Sequence, residues 1–412
     1  MSIKLDNDIH QKGTRFLIFP QQRNLNGFDE PEVVWISIPP HEIKPGPEDD
    51  RMFVVDATNK LPYTETYRPP YTGSFLEKVQ PGPDGHFDHL HVDSREFLCA
   101  GMYAIVRRVL DIWEDYFGGP IYWHFEADFE KLELIPLVEW NNSQSGYGFL
   151  EFGYGSNIND GIDHNLPYCE NFDVLAHELG HGIIYSKVGI PSNPADHQID
   201  YSAMHESSGD LIAIISLLHF NSVVKKLLDK TKGNLFTPNE LDRFAELSNS
   251  RQLRIAFNNV RMSDVGEEPH DRSRPLTGGI FDILVEVFQK SLVEKGLITK
   301  DLSNRSTQGP NRGQDLQLIQ NDFNNAYLGH EDEFAITLLE ARDYLGYLLA
   351  EVWSQLDKDF LTYHDILRGL FQADRKISNS KHQKTIRDCF AWRGISILPG
   401  SILLRLHTIN KK

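Results

Sequence analysis

The sequence predicts an α+β protein of two lobes, a mixed, β-rich N-terminal lobe followed by a mainly α-helical C-terminal lobe. Short strand-like runs such as "VVWISI" and "LELIPLVEW" occur early in the chain, whereas apolar residues recur at helical spacing from about residue 200. The 412 residues, 40% of them apolar, are enough to bury one large core or two modest ones. We therefore expect three segments: an N-terminal extension of unknown role (1–50), a β-rich lobe (51–190) and a helical lobe (191–412).

Periodicity and end signals give the expected elements in order along the chain. Strand-like runs lie at "FLIF", "VVWISI", "RMFVVDA", "IYWHF" and "LELIPLVEW". A long amphipathic helix is predicted over 94–117 and ends at Gly118, since glycine commonly terminates helices. Further helices are predicted over 205–229, 238–248, 275–295, 333–356, 360–372 and 382–391. The polar run "DLSNRSTQGPNRGQD" at 301–315 predicts a surface loop.

Composition excludes several classes of partner. The formal charge is −18 and there is no block of Lys or Arg, so we expect no nucleic-acid partner. The longest apolar run, "LIAIISLL", is too short to span a bilayer, so we expect no membrane partner. The N-terminus shows no secretory signal, which predicts a cytoplasmic protein, with secretion by a signal-independent route as the alternative. The three cysteines predict free, buried thiols, and no pattern predicts an oligomeric state.

The segment "DVLAHELGHGIIYSK", residues 173–187, sets two histidines four residues apart with a glutamate directly after the first. Residues four apart lie on one face of a helix, so His177 and His181 can bind one ion. Glu178 then lies beside that ion, where a base for a metal-activated water is needed. The alternative is an ordinary amphipathic helix that carries two histidines, because so short a motif also arises by chance.

A third ligand has to come from outside this helix. An extended three-histidine motif would need Gly at 184 and His at 187, and the chain has Ile184 and Lys187 there. The segment "MHESSGDLIAIISLL" instead offers Glu206, with Asp210 one turn later to accept the second ring N–H of a zinc-binding histidine. Three other side chains remain as rival ligands: Asp200, His197 and His205.

Two further segments could serve a hydrolytic site. In "EEPHDRSRPLTGGIFDIL", His270 lies in a polar turn just before a predicted helix, where it could stabilise the oxyanion of a tetrahedral intermediate. The segment "LVEWNNSQSGYG", residues 137–148, reads as a strand that runs into a turn. Its exposed edge could bind an extended peptide by strand addition, and the alternative is an ordinary hairpin.

Together these segments resemble the thermolysin-like zinc metallopeptidases, which belong to the gluzincins. "DVLAHELGHG" matches the zinc helix of that family, "HESSGD" its second ligand segment, and "PHDRS" the segment of its transition-state histidine. "EWNNSQSGYG" is similar to the family's substrate-edge motif. "VVDATNKLP" and "LFQADRKISNSKHQKTIRDCFAWRGI" resemble the beginning and the closing helices of its catalytic region. The resemblance covers about residues 51–395.

The resemblance implies a two-lobed zincin metallopeptidase with its active-site cleft between the lobes and one catalytic zinc ion. It implies that His177, His181 and Glu206 are the zinc ligands and that Glu178 is the general base. It implies that Asp210 accepts a hydrogen bond from His177 and that His270 stabilises the transition state. The residues that it implies for substrate binding are Arg254, Val138 and Trp140. A structural calcium ion is doubtful, because "LIAIISLLHF" replaces the acidic residues that the family has after the Asp210 position.

The sequence therefore predicts a zinc-dependent metallopeptidase that cleaves peptides or proteins through a zinc-activated water, with a glutamate as general base. The substrate-edge motif favours an endopeptidase. Two alternatives remain: a gluzincin exopeptidase that trims one end of a peptide, and a catalytically inactive homologue that binds peptides in the same cleft.

Overall fold

The computed structural model describes residues 12–21, 23, 27–156, 161–193, 199–236, 244–248, 251–254, 258–307 and 313–396, with only the backbone described at 244–248, 251–254 and 313–315. The strands are β1 (Thr14–Ile18), β2 (Glu32–Ile36), β3 (Met52–Val54), β4 (Leu132–Ile135), β5 (Ser143–Gly146), β6 (Phe149–Phe152), β7 (Tyr154–Ser156), β8 (Ile162–Pro167), β9 (Phe244–Ser248) and β10 (Arg251–Arg254). The helices are α1 (Arg95–Phe117), α2 (Phe172–Lys187), α3 (Ile199–Leu217), α4 (Asn221–Thr231), α5 (Pro269–Glu294), α6 (Lys300–Thr307), α7 (Gly313–Tyr327), α8 (Glu331–Trp353), α9 (Tyr363–Ser378) and α10 (Gln383–Trp392).

The described residues form two compact units. The first takes those within 1–189 and 208–255, and the second takes those within 190–207 and 256–412. All the described strands belong to the first unit, and α5 to α10 belong to the second. The predicted α+β class, with strands towards the N-terminus and helices towards the C-terminus, is confirmed.

The largest sheet of the first unit has four strands in the order β3-β4-β6-β5. The first three are parallel, and β5 pairs antiparallel with β6 across a two-residue turn. Strands β4 and β6 are buried along their whole length, as central strands are, whereas β5 lies at the edge and is half-buried. Strand β5 therefore forms one edge of the sheet, in the segment where the sequence predicts a substrate edge, and β3 forms the other.

Helix α1 and the hairpin β1–β2 pack together in the same unit. Ser94 caps the helix by accepting a hydrogen bond from the Phe97 N–H, and Gly118 ends it in the left-handed conformation. In the hairpin, Phe16 and Ile36 are completely buried. The described part of the N-terminal extension is therefore an integral part of the core of the first unit.

Three expectations for secondary structure are wrong. The run "IYWHF" forms no strand, because the N–H groups of Ile121 and His124 bond to the side chains of Glu114 and Ser186. Of the helix predicted over 238–248, the described residues 244–248 form β9, since a run this short fits both periodicities and pairing with β10 decides it. The loop predicted over 301–315 contains α6 and the start of α7.

The helix predicted over 205–229 is divided into α3 and α4, which are bent by 91°. The bend follows Leu217, and Phe220 has extended backbone angles and packs edge-to-face on Phe172, with ring centroids 5.1 Å apart. Among the described residues, no single helix has the length and hydropathy to cross a membrane. Only α3 and α4 taken together reach that length and hydropathy, and they are bent relative to each other. The predicted free, buried cysteines are confirmed at Cys99, Cys169 and Cys389.

A buried ion pair lies behind the edge strand. Lys60 Nζ is 2.5 Å from Glu151 Oε2, and both side chains are completely buried. Glu151 also accepts hydrogen bonds from the Tyr63 N–H (2.8 Å) and from the Gln144 side chain of β5. Burial lowers the pKa of Lys60, against the opposing effect of Glu151. The pair is therefore held by surrounding donors, and it ties β5 to the sheet through Gln144.

Removal of one partner of this pair should destabilise the protein strongly. The Lys60→Met variant leaves Glu151 buried without its cation, so its free energy of unfolding in urea should fall by about 3–5 kcal/mol. The double variant Lys60→Met/Glu151→Gln should recover part of this loss, because no buried charge is left and an acceptor for Tyr63 remains. The exposed pair Lys384–Asp388 supplies the control, since Lys384→Met should leave stability almost unchanged. Equal losses in Lys60→Met and Lys384→Met would contradict this account.

Candidate metal centre

Helix α2 carries both histidines of the motif, and its first turn is fixed by a side-chain cap. The Asn171 side chain accepts hydrogen bonds from the backbone N–H groups of Asp173 (3.0 Å) and Val174 (3.3 Å). Such a cap satisfies N–H groups that have no partner within the helix. Most of the helix is buried. The structure thus has a mostly buried helix over the motif.

Two histidines and a glutamate come together at this helix. The His177 and His181 rings lie one turn apart, with centroids 4.8 Å apart and ring planes at 89°. Glu206 of α3 joins them, and one ligand atom from each of the three side chains lies within 4.8 Å of the others. Within the described ranges, this is the one group of three or more His, Cys, Asp or Glu side chains with such spacing.

Helix α3 itself brings Glu206 to the histidines. The boundary between the two units falls between Ser207 and Ser208, inside this helix. Because α3 is continuous across the boundary, Glu206 has a fixed place one turn before Asp210, which belongs to the first unit together with α2.

The three side chains fit a metal ion by their chemistry. Two imidazole nitrogens and one carboxylate oxygen form a donor set typical of catalytic zinc sites, in which a fourth position stays open. With zinc–ligand bonds of about 2.0–2.2 Å, ligand atoms in a tetrahedral site are about 3.4 Å apart. The ligand atoms of the cluster lie within 4.8 Å of one another, and His181 and Glu206 are only partly buried.

Asp210 lies behind the first histidine. Its Oδ1 atom is 3.1 Å from His177 Nδ1, and both side chains are buried. A carboxylate in this position accepts the Nδ1–H hydrogen bond, which fixes the tautomer in which Nε2 carries the lone pair that a metal needs. The structure thus places Asp210 where the second-shell partner was expected, and its effect on a bound metal stays a prediction.

Two glycines let α2 and α3 approach closely enough for this contact. A Cβ atom added at Gly209 would lie 2.6 Å from His177 Nδ1, and one added at Gly180 would lie 2.8 Å from Gly209 Cα. No side chain larger than hydrogen fits at either position without displacement of the ring or the helix. Reasoning from the sequence missed both residues, although each stands inside a motif that it singled out, "HELGH" and "HESSGD".

Glu178, the expected base, contacts the edge strand. The Ser143 hydroxyl donates a hydrogen bond to Glu178 Oε1 at 3.1 Å, and Ser143 is the first residue of β5. The next residue, Gln144, points to the opposite face of the sheet, towards Glu151, as the alternation of a strand requires. The sequence analysis did not single out Ser143, because only the order of the strands shows that β5 is the edge beside α2.

The backbone groups of Val138 and Trp140 have partners within the chain. The Val138 N–H donates to the Phe152 carbonyl (2.8 Å), and the Trp140 N–H donates to the Val138 carbonyl (2.7 Å). The Trp140 carbonyl accepts from the Tyr154 N–H (2.8 Å). The role of these two residues in aligning a peptide stays a prediction, and the strand edge beside Glu178 belongs to β5.

His270 lies in the first turn of α5, and the expected polar turn before a helix is therefore wrong. The helix begins at Pro269, because proline suits the first helical position and the Glu268 side chain accepts from the Asp271 N–H. His270 is 58% exposed, with Nδ1 2.7 Å from Glu268 Oε1 and Nε2 3.4 Å from Glu206 Oε2. It therefore lies beside the third ligand, and its role as a transition-state stabiliser stays a prediction.

Two of the rival ligands, Asp200 and His205, lie outside the three-residue cluster. Both Asp200 oxygens accept hydrogen bonds within the second unit, from Arg272 Nε (2.6 Å) and the Tyr363 N–H (3.1 Å). His205 Nε2 is 3.0 Å from the Tyr201 hydroxyl. Two predictions fall outside the described residues: His197, which is not described at all, and the side chain of Arg254, of which only the backbone in β10 is described.

The chain is similar in structure to solved proteins, although its sequence matches none of the families compared. No protein-family model and no curated protein matches the sequence. The precursor of protealysin, a metalloproteinase from Serratia proteamaculans, is similar in structure, with 13% sequence identity, coverage of 86% of this chain and 90% of that chain, and a TM-score of 0.46. At this level of similarity, we infer function from the geometry of the site alone.

A methyl group at Gly209 should weaken metal binding. In the Gly209→Ala variant the added Cβ pushes against the His177 ring, so affinity for zinc should fall by about 10–100-fold, as when the outer partners of other metal ligands are lost. Competition with a chelator of known affinity measures this. Gly101→Ala is the matched control, because a Cβ there meets no atom within 4 Å. Wild-type affinity in a folded Gly209→Ala protein would show that the close helix crossing does not set the site.

Proposed function

We propose that this protein is a zinc metalloendopeptidase that hydrolyses peptide bonds in peptides or proteins. The observation that carries the proposal is the cluster of His177, His181 and Glu206, with Glu178 on the same helix as the two histidines. Zinc bound by this donor set supplies Lewis acidity and makes water a strong nucleophile near neutral pH. Side chains of the protein carry the proton, position the ligands and stabilise the oxyanion.

Glu178 acts as the proton carrier. Its carboxylate takes a proton from the attacking water and then delivers that proton to the nitrogen of the leaving amine. The hydrogen bond from Ser143 holds one carboxylate oxygen, which leaves the other oxygen to accept the proton. Ser143 is therefore a positioning residue in this proposal.

In this proposal, other side chains hold the metal ligands in place and stabilise the oxyanion. Asp210 fixes the His177 ring, so the ligand nitrogen keeps its direction during turnover. His270, with its exposed ring beside Glu206, donates an N–H to the oxygen of the tetrahedral intermediate. An extended substrate adds to β5 as a further strand, so its backbone is aligned next to Glu178.

Loss of the base should separate metal binding from catalysis. The Glu178→Gln variant keeps all three ligands, so mass spectrometry of the metal should find about one zinc per chain in it and in the wild type. Cleavage of a quenched peptide library should fall by about 10²–10⁴-fold, the usual contribution of a general base. Glu340→Gln, at an exposed position of α8, should match the wild type in both assays.

Substantial cleavage by Glu178→Gln would remove Glu178 from the mechanism. Zinc in both proteins with no cleavage by either would favour a catalytically inactive peptide-binding homologue. If neither protein holds zinc, the cluster is a pair of structural histidines beside a glutamate.

Peptides with blocked ends should be cleaved as well as peptides with free ends. Strand addition at β5 uses the backbone of the substrate rather than its termini, so kcat/KM for an internally quenched peptide should not change when it is acetylated and amidated. Products identified by mass spectrometry should come from internal bonds. Loss of cleavage on blocking either end would favour the exopeptidase alternative.

A further inference from the structure

A group of aromatic rings lies at the end of the edge strand. We call it the aromatic cluster: His124, Phe125, Phe129, Tyr147 and Tyr185. The His124 ring is 5.5 Å from Tyr147 and 5.2 Å from Tyr185 between ring centroids. The Phe125 and Phe129 rings are 6.0 Å and 5.9 Å from Tyr147, both edge-to-face. All five residues belong to the first unit.

The aromatic cluster joins the edge strand to the metal-binding helix. Tyr147 directly follows β5, and Tyr185 lies on α2 four residues after His181. Residues four apart share one face of a helix, about 6 Å apart along its axis. An extended chain advances about 3.3 Å per residue. A peptide paired with β5 therefore needs about two residues to reach from the metal centre to these rings.

The aromatic cluster is partly exposed to solvent, and its exposed ring has a fixed orientation. Tyr147 is 42% exposed, and its hydroxyl donates to Asp128 Oδ2 at 2.7 Å, which fixes the direction of the ring. The turn that carries Tyr147 is held as well, because Gly148 has a φ of 88° and lies against the Phe129 ring.

His124 adds a neutral ring with an unused polar atom. Burial lowers the pKa of His124 to about 4, so the ring is uncharged at neutral pH. Its Nδ1 atom is buried, and none of the described residues forms a hydrogen bond to it.

Resting on the peptidase function proposed above, we propose that the aromatic cluster is a specificity subsite for an aromatic side chain of the substrate, about two residues from the cleaved bond. Rings prefer edge-to-face and offset contacts with other rings, which Tyr147 and Tyr185 provide around the neutral His124.

Selectivity measurements on matched peptides test this assignment. Internally quenched peptides carry one Phe at successive positions on either side of the cleaved bond, and kcat/KM of each is divided by that of its Ala counterpart. At one position of the wild type this ratio should be about ten, the size expected for one well-packed aromatic contact. In Tyr147→Ala it should fall towards one, whereas Tyr147→Phe, which keeps the ring, should retain it.

Tyr122→Ala is the control for loss of a tyrosine. Tyr122 stands on the same segment as His124, is exposed, and forms no ring contact with any described residue, so its removal should leave both the ratio and the activity unchanged. An unchanged ratio in a folded Tyr147→Ala protein, or equal ratios at every position of the wild type, would overturn the subsite.

A binding assay separates failure of the subsite from failure of the proposed function. The Glu178→Gln protein, which should not cleave, is titrated with the Phe and Ala peptides by calorimetry, with and without Tyr147→Ala. A Phe preference that Tyr147→Ala removes supports the subsite even if the wild type cleaves nothing. Cleavage by the wild type without a Phe preference in either assay would leave the peptidase standing and refute the subsite.

Discussion

The close crossing of α2 and α3 is the constraint on which the candidate site depends. Gly180 and Gly209 remove the side chains that would keep the two helices apart. Only at this separation can Asp210 reach the buried His177 ring, and only then does the turn before it bring Glu206 to the same place. The positions of His177, Asp210 and Glu206 thus follow from one helix-to-helix distance.

A second constraint holds strand β5 in place beside the candidate site. Strand β5 is an edge strand, and edge strands fray because half of their backbone groups lack strand partners. Gln144 counteracts this by bonding to Glu151, whose own charge is balanced by Lys60 in the interior. Ser143, on the opposite face of the same strand, is thereby kept against Glu178. Buried charge on one face of the sheet therefore supports the position of Glu178 beside the other face.

Local sequence patterns predicted most of the helices and the pair of histidines in the candidate site. The long helix α1 and the helices α8 to α10 were predicted because their amphipathic period extends over several turns, and the pair His177 and His181 was predicted because i to i+4 geometry needs only one helix. The prediction failed where partners distant in sequence decide the structure. Pairing with β10 makes β9 a strand, and side-chain acceptors keep "IYWHF" out of a sheet. Gly209 and Ser143 were missed for the same reason, since their roles appear only when α2 meets α3 and β5.

The edge strand has a further property in its composition. Its four residues are two serines, a glutamine and a glycine, with no branched or aromatic side chain. A chain that pairs with it gains few backbone hydrogen bonds and little cross-strand packing, so such a chain dissociates readily. A second copy of the protein gains as little from the same edge, and short polar edges of this kind resist aggregation. A small gain from strand pairing, whichever chain is added, is thus the effect of these four residues.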